Sequence, residues 1–85
     1  MYYVYILKSL KDSNFYTGLA KDVPKRLKEH NGGYVKPTKG RRPLELIYTE
    51  KFRTLAEARR KEKFFKTGIG RKLRDDILKR GNIPR

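Results

Sequence analysis

Cysteine is absent from the 85 residues, and histidine occurs once, at His30. Without thiols, disulfides and thiolate zinc sites are excluded, and a reducing, cytoplasmic setting is the expectation. One histidine cannot build a multi-histidine zinc site, and no Ser-His-Asp set is in view. Long apolar runs are missing as well. The opening MYYVYILKSL is too short to span a membrane and lacks the basic start of a signal peptide. No internal repeat, low-complexity tract or linker divides the chain, so residues 1–85 read as one small domain with a single modest core. Gly68-Ile69-Gly70-Arg71-Lys72 lacks the spacing of a P-loop, which argues against an NTPase.

Acids are scarce: 9 Asp and Glu stand against 23 Lys and Arg, for a formal charge of +14. A compact domain with that excess repels itself, and an anionic partner explains why it is kept. Nucleic acid is the leading candidate. A membrane surface is not, because no segment combines a basic face with a broad apolar one. The densest cations are Lys36, Lys39, Arg41 and Arg42 in the loop-like KPTKGRRP, followed by Arg71 and Lys72 at the start of the last helix. These six are the candidate phosphate contacts.

Residues 2–8, rich in aromatic and β-branched side chains, favour a strand. Lys11-Asp12-Ser13-Asn14 is turn sequence, and residues 15–20 read as the returning strand. Asp22 can cap a helix that tolerates Pro24 in its first turn and stops at Gly32-Gly33. A third strand is expected over residues 44–50. Thr54 and Glu57 form a capping box opening a long helix that ends near Gly68. The last helix is expected over residues 71–80, with Leu73 and Ile77 inward and Gly81 as its cap. The order β-β-α-β-α-α predicts an α+β fold, a small three-stranded antiparallel sheet flanked by helices.

Five side chains could carry chemistry. Leu55, Ala58, Phe65 and Ile69 make one helical stripe, and Glu62 sits in its middle. A core-facing carboxylate is costly unless something pairs with it or it binds a metal. A salt bridge and a metal site both satisfy that requirement. Arg26 and His30, four residues apart, share a helix face that is either solvated or part of a site. Tyr5 and Tyr16 lie on the two arms of the hairpin. They pack the sheet, or, if the register sets them opposite each other, present two hydroxyls on one face.

Taken in order, Tyr3-Val4-Tyr5, Tyr16-Thr17-Gly18, Arg26 with His30, and Glu62 resemble the GIY-YIG endonuclease family. The likeness is to its small stand-alone bacterial members in particular, and the chain is similar to the nuclease domain of the excision-repair subunit UvrC. It spans residues 2–78 and brings DNA repair into view as a setting. The resemblance implies that Glu62 holds one divalent metal ion, Mg²⁺ or Mn²⁺. It implies that Tyr5 or Tyr16 helps deprotonate the attacking water, that Arg26 stabilises charge on the phosphate, and that His30 assists by hydrogen bonding.

The implied activity is metal-dependent hydrolysis of phosphodiester bonds, in DNA rather than RNA and with low sequence specificity. A module of the same fold that binds nucleic acid without catalysis is the alternative, and a basic scaffold bound to structured RNA is a third class. Tyr3 stands where the family's first motif has glycine, and Thr17 where the second has isoleucine. Neither departure removes a proposed catalytic side chain. A free tyrosine, with a pKa of about 10, is a poor base at neutral pH, so cationic neighbours and the metal must lower it.

Overall fold

In a computed structural model that describes residues 1–79, the elements follow the expected order. Strands β1 (Tyr2–Ser9) and β2 (Phe15–Ala20) form the hairpin, and helix α1 (Val23–Asn31) follows. After a 3-10 helix (Lys36–Arg41) come strand β3 (Leu44–Phe52), helix α2 (Leu55–Phe65) and helix α3 (Gly68–Lys79). The sheet is antiparallel with β1 in the middle, order β2-β1-β3. No helix among the described residues is long and apolar enough to cross a membrane.

Burial on both faces explains the run of apolar residues in β1. Val4 and Ile6 face α2, packing with Tyr48, Ala58 and Phe65, while Tyr5 and Leu7 face α1 and meet Val23 and Leu44. Phe65 is fully buried, and burying a side chain of its size is worth roughly 1.5–3 kcal/mol. The caps read from sequence are present: Asp22 Oδ1 accepts the Lys25 N–H at 3.0 Å, and Thr54 Oγ1 accepts that of Glu57 at 3.2 Å.

Four expectations are corrected. KPTKGRRP is not an open loop: its first six residues wind into the 3-10 helix around Thr38, which is completely buried. Strand β3 runs on to Phe52, because its outer half continues to pair with β1. The long helix stops at Phe65 and the last begins at Gly68, since the Thr67 hydroxyl accepts the Gly70 N–H at 3.1 Å and caps the new helix. Gly70 also lies so close to the end of α2 that a Cβ there would overlap the Phe64 carbonyl. That break turns Ile69 and Leu73 outward, to 79% and 41% exposure, instead of inward. The inward position expected for Ile77, the helix end at Arg80 and the cap at Gly81 lie outside the described side chains and residues.

Candidate active site

The hairpin register sets the two tyrosines on one face without placing them directly opposite each other. Tyr5 pairs with Gly18 and Leu7 with Tyr16, so the phenols are diagonal neighbours. The difference matters. Tyr5 lays its ring across β2 over the bare backbone of Gly18, where a Cβ would come within 2.9 Å of Cε1 and closer still to Cζ and Oη. Only glycine admits that approach.

Helix α1 covers this face and brings His30, which is fully buried rather than solvated. Tyr5 Oη lies 2.8 Å from His30 Nε2, and both phenol rings meet the imidazole edge-on, at centroid distances of 5.8 and 5.1 Å. On its other side His30 Nδ1 is 2.7 Å from the Thr38 hydroxyl, which also reaches the Val35 carbonyl at 3.3 Å. One turn earlier on α1, Arg26 is half-buried, bonded to Glu29 at 3.0 Å, and its guanidinium approaches the Tyr5 hydroxyl.

These contacts set the electrostatics. Burial pushes the Tyr5 phenol up to about 12; Arg26 pulls it down, and the Glu62 carboxylate adds to the rise. His30 is held below its ordinary value, first by burial and then by the Arg26 charge, so it is neutral at pH 7. The Arg26 guanidinium is pushed higher still by its bond to Glu29 and stays protonated.

Glu62 comes from α2, at the margin of the buried stripe: its side chain is 22% exposed. It is paired with Lys66 one turn on, at 3.2 Å, and not with a buried cation. Among the described residues no three His, Asp or Glu side chains gather round one centre. An ion held by Glu62 would have this single carboxylate and would keep most of its waters, an arrangement Mg²⁺ accepts. The Lys66 partner is half-exposed and free to give way.

Tyr16 opens onto a cleft of about 740 Å³ between the hairpin turn and the α2–α3 junction. Arg41 and Arg71 of the expected basic set line it, together with Lys66 and Arg74, which sequence reading missed. Arg41 is pinned there by Asp12 at 3.3 Å, and the buried Ser9 hydroxyl holds its carbonyl at 2.6 Å. Arg74 lies over the Phe15 ring, 5.1 Å from its centroid. Lys39 and Arg42 line a separate groove beside Lys11, and Lys72 faces outward next to Ile69 and Asp76. Lys36 is exposed. No local signal marks Lys66 or Arg74 among 23 cations, or Thr38 within a basic stretch.

Comparisons with known proteins identify the family. The family model for the GIY-YIG catalytic domain matches residues 1–74, and the chain belongs to that family. It is similar to UPF0213 protein SSP2268 of Staphylococcus saprophyticus, at 49% identity over 67 residues, covering 78% of this chain and 80% of that one. A UPF0213 protein of Staphylococcus aureus is 46% identical over the same shares of the two chains. Among solved structures, that of UPF0213 protein BH0048 from Bacillus halodurans superposes with a TM-score of 0.56 at 40% identity, covering 95% of this chain and 87% of that one.

Proposed function

We propose that this protein is a divalent-metal-dependent endonuclease that hydrolyses phosphodiester bonds in DNA with low sequence specificity, acting in the cytoplasm. One observation carries the reading. Residues from β1, β2, α1 and α2 gather round a single hydroxyl: His30 hydrogen-bonds Tyr5 Oη, Tyr16 packs edge-on against the same imidazole, and Arg26 and Glu62 act on the hydroxyl through their charges. Packing alone requires no such convergence, and binding alone requires no half-buried glutamate. The likeness to an excision-repair subunit favours DNA over RNA.

A phenol raised to about 12 is not ionised at pH 7; ionising it unaided costs roughly 7 kcal/mol. Tyr5 therefore acts as a relay. As the water oxygen attacks phosphorus, the water proton passes to Tyr5 Oη while the phenol's own proton passes to His30 Nε2. The bond from phosphorus to the leaving oxygen breaks, and that oxygen takes a proton from solvent. No free phenolate forms, and the neutral His30 is the final acceptor. Tyr16, on the cleft wall, orients the water. Arg26 meets the charge growing on the non-bridging oxygens with its planar fork. Glu62 would hold the divalent ion, which would supply charge neutralisation at the phosphate. Arg41, Arg71, Lys66 and Arg74 grip the flanking backbone.

The burial of Tyr5, which keeps its phenol protonated, also favours the alternative, a binding module without catalysis. Incubation with labelled single-stranded, duplex and branched DNA and RNA in Mg²⁺, Mn²⁺ or EDTA separates the two. Cleavage of DNA in Mg²⁺ or Mn²⁺, abolished by EDTA and by Tyr5→Phe, is expected. Binding without cleavage under every condition sinks the enzyme and leaves the module.

A further inference from the structure

Thr38 is a buried polar side chain within a stretch that is otherwise basic and mostly exposed, and it touches no part of the cleft. We propose that Thr38 is a positioning residue that holds His30 as its Nδ1–H tautomer, leaving Nε2 as the lone pair that receives the Tyr5 proton. The functional half of this inference rests on the nuclease reading; the tautomer itself does not.

The assignment follows from counting protons. Three side chains meet in a chain, the Tyr5 hydroxyl, the His30 ring and the Thr38 hydroxyl, which ends at the Val35 carbonyl, with the Arg26 guanidinium near Tyr5. Arg26 only donates, and Val35 O only accepts. Suppose Thr38 gave its proton to Nδ1. Then Nε2 would carry the ring proton and point it at Tyr5 Oη, beside the Arg26 charge. The Tyr5 proton would lose its acceptor at Nε2, and the Thr38–Val35 bond would be lost. In a buried site that arrangement is penalised.

The other assignment leaves no proton unmatched. Tyr5 O–H donates to His30 Nε2, His30 Nδ1–H to Thr38 Oγ1, and Thr38 O–H to Val35 O. The tautomer of a histidine is set by the bond its other nitrogen makes. Here that partner is Thr38, delivered by the 3-10 helix. When His30 gains the Tyr5 proton, its Nδ1–H keeps the same acceptor, so nothing has to rotate during the step.

His30 is the only histidine, so one imidazole gives all the ring ¹⁵N signals. Long-range ¹H–¹⁵N correlation at about pH 8, where the ring is neutral, reads its tautomer without nucleic acid or metal. The wild type is expected to show protonated Nδ1 and bare Nε2. Thr38→Val keeps the branched shape without the hydroxyl and should move the ring toward the Nε2–H form, with cleavage falling at least tenfold. Thr38→Ser should restore both. A wild-type ring protonated at Nε2, or a Thr38→Val ring still protonated at Nδ1, overturns the proposal. The wild-type spectrum decides even if the valine variant does not fold. An Nδ1–H ring in a protein that cleaves nothing counts against the nuclease reading and supports Thr38's hold on the tautomer.

Discussion

Gly18→Ala places one methyl group where the Tyr5 ring crosses β2. The new Cβ would lie 2.9 Å from Cε1, and nearer to Cζ and Oη, whereas carbon atoms settle at about 3.5–4.0 Å. The ring must retreat by on the order of 1 Å, an amount that costs roughly 100-fold where reacting groups are in place. It is held on one side by Val23 and on the other by the 2.8 Å bond to His30, which a shift of that size breaks. Overpacking of this kind costs about 1–3 kcal/mol, partly offset because alanine orders more cheaply than glycine in a strand. A folded protein with modestly lower stability and cleavage down roughly 100-fold is therefore expected. The assays are a denaturant melt and initial rates on a labelled oligonucleotide in Mg²⁺. Gly68→Ala is the control, since a Cβ there meets nothing within 4 Å. Wild-type rates from a folded Gly18→Ala protein would refute the placement of Tyr5 at the reacting centre.

Three further outcomes are expected. Arg26→Lys keeps the charge but loses the fork, so the cleavage rate constant should fall at least tenfold with little change in substrate affinity; single-turnover rates and a binding titration check this. Glu62→Ala removes only the pair with half-exposed Lys66, so stability in EDTA should stay within about 0.5 kcal/mol while cleavage in Mg²⁺ vanishes. A large stability loss, or surviving activity, would exclude the metal role. Burial and Arg26 depress the folded-state pKa of His30, so below its unfolded value of about 6.5 the unfolded chain binds the extra proton. Stability from this group is thus complete above about pH 6.5 and lost as pH falls toward the folded value. Denaturant midpoints measured between about pH 7 and pH 5 should decline, and a flat or rising profile would contradict a buried neutral ring.

Local chemistry made much of the fold legible. The hairpin, the Asp22 and Thr54 caps and the stop at Gly32 each depend on residues within a few positions, and each is where the sequence puts it. Periodicity failed where a break a few residues long rotated the register. Ile69 extends the stripe of Ala58 and Phe65 on paper, but the Thr67 cap starts a new helix and carries Ile69 into solvent. Composition failed at residues 36–41, since nothing in KPTKGR signals order. What folds that segment is distant in sequence: the Thr38–His30 bond, the Ser9 hydroxyl on the Arg41 carbonyl, and the Asn31 side chain on both backbone groups of Leu44, at 3.0 and 2.8 Å.

The same distinction runs through the candidate site. Tyr5, Tyr16, Arg26, His30 and Glu62 could be picked out because their order follows a family pattern, yet none of them reveals its partner. His30 reads as a surface residue until Thr38 closes over its far nitrogen, and Glu62 reads as a core-facing charge until Lys66 and the rim exposure account for it. A buried neutral histidine between a phenol and a hydroxyl is costly to assemble, because every member needs its donor or acceptor met at once. An exposed basic surface would bind phosphates without any of it. Composition therefore announces the excess of positive charge, but not that Lys66 and Arg74 line the cleft. The hydrogen-bonded chain from Tyr5 to Val35 is the part that only the folded chain assembles, and a cationic patch does not require it.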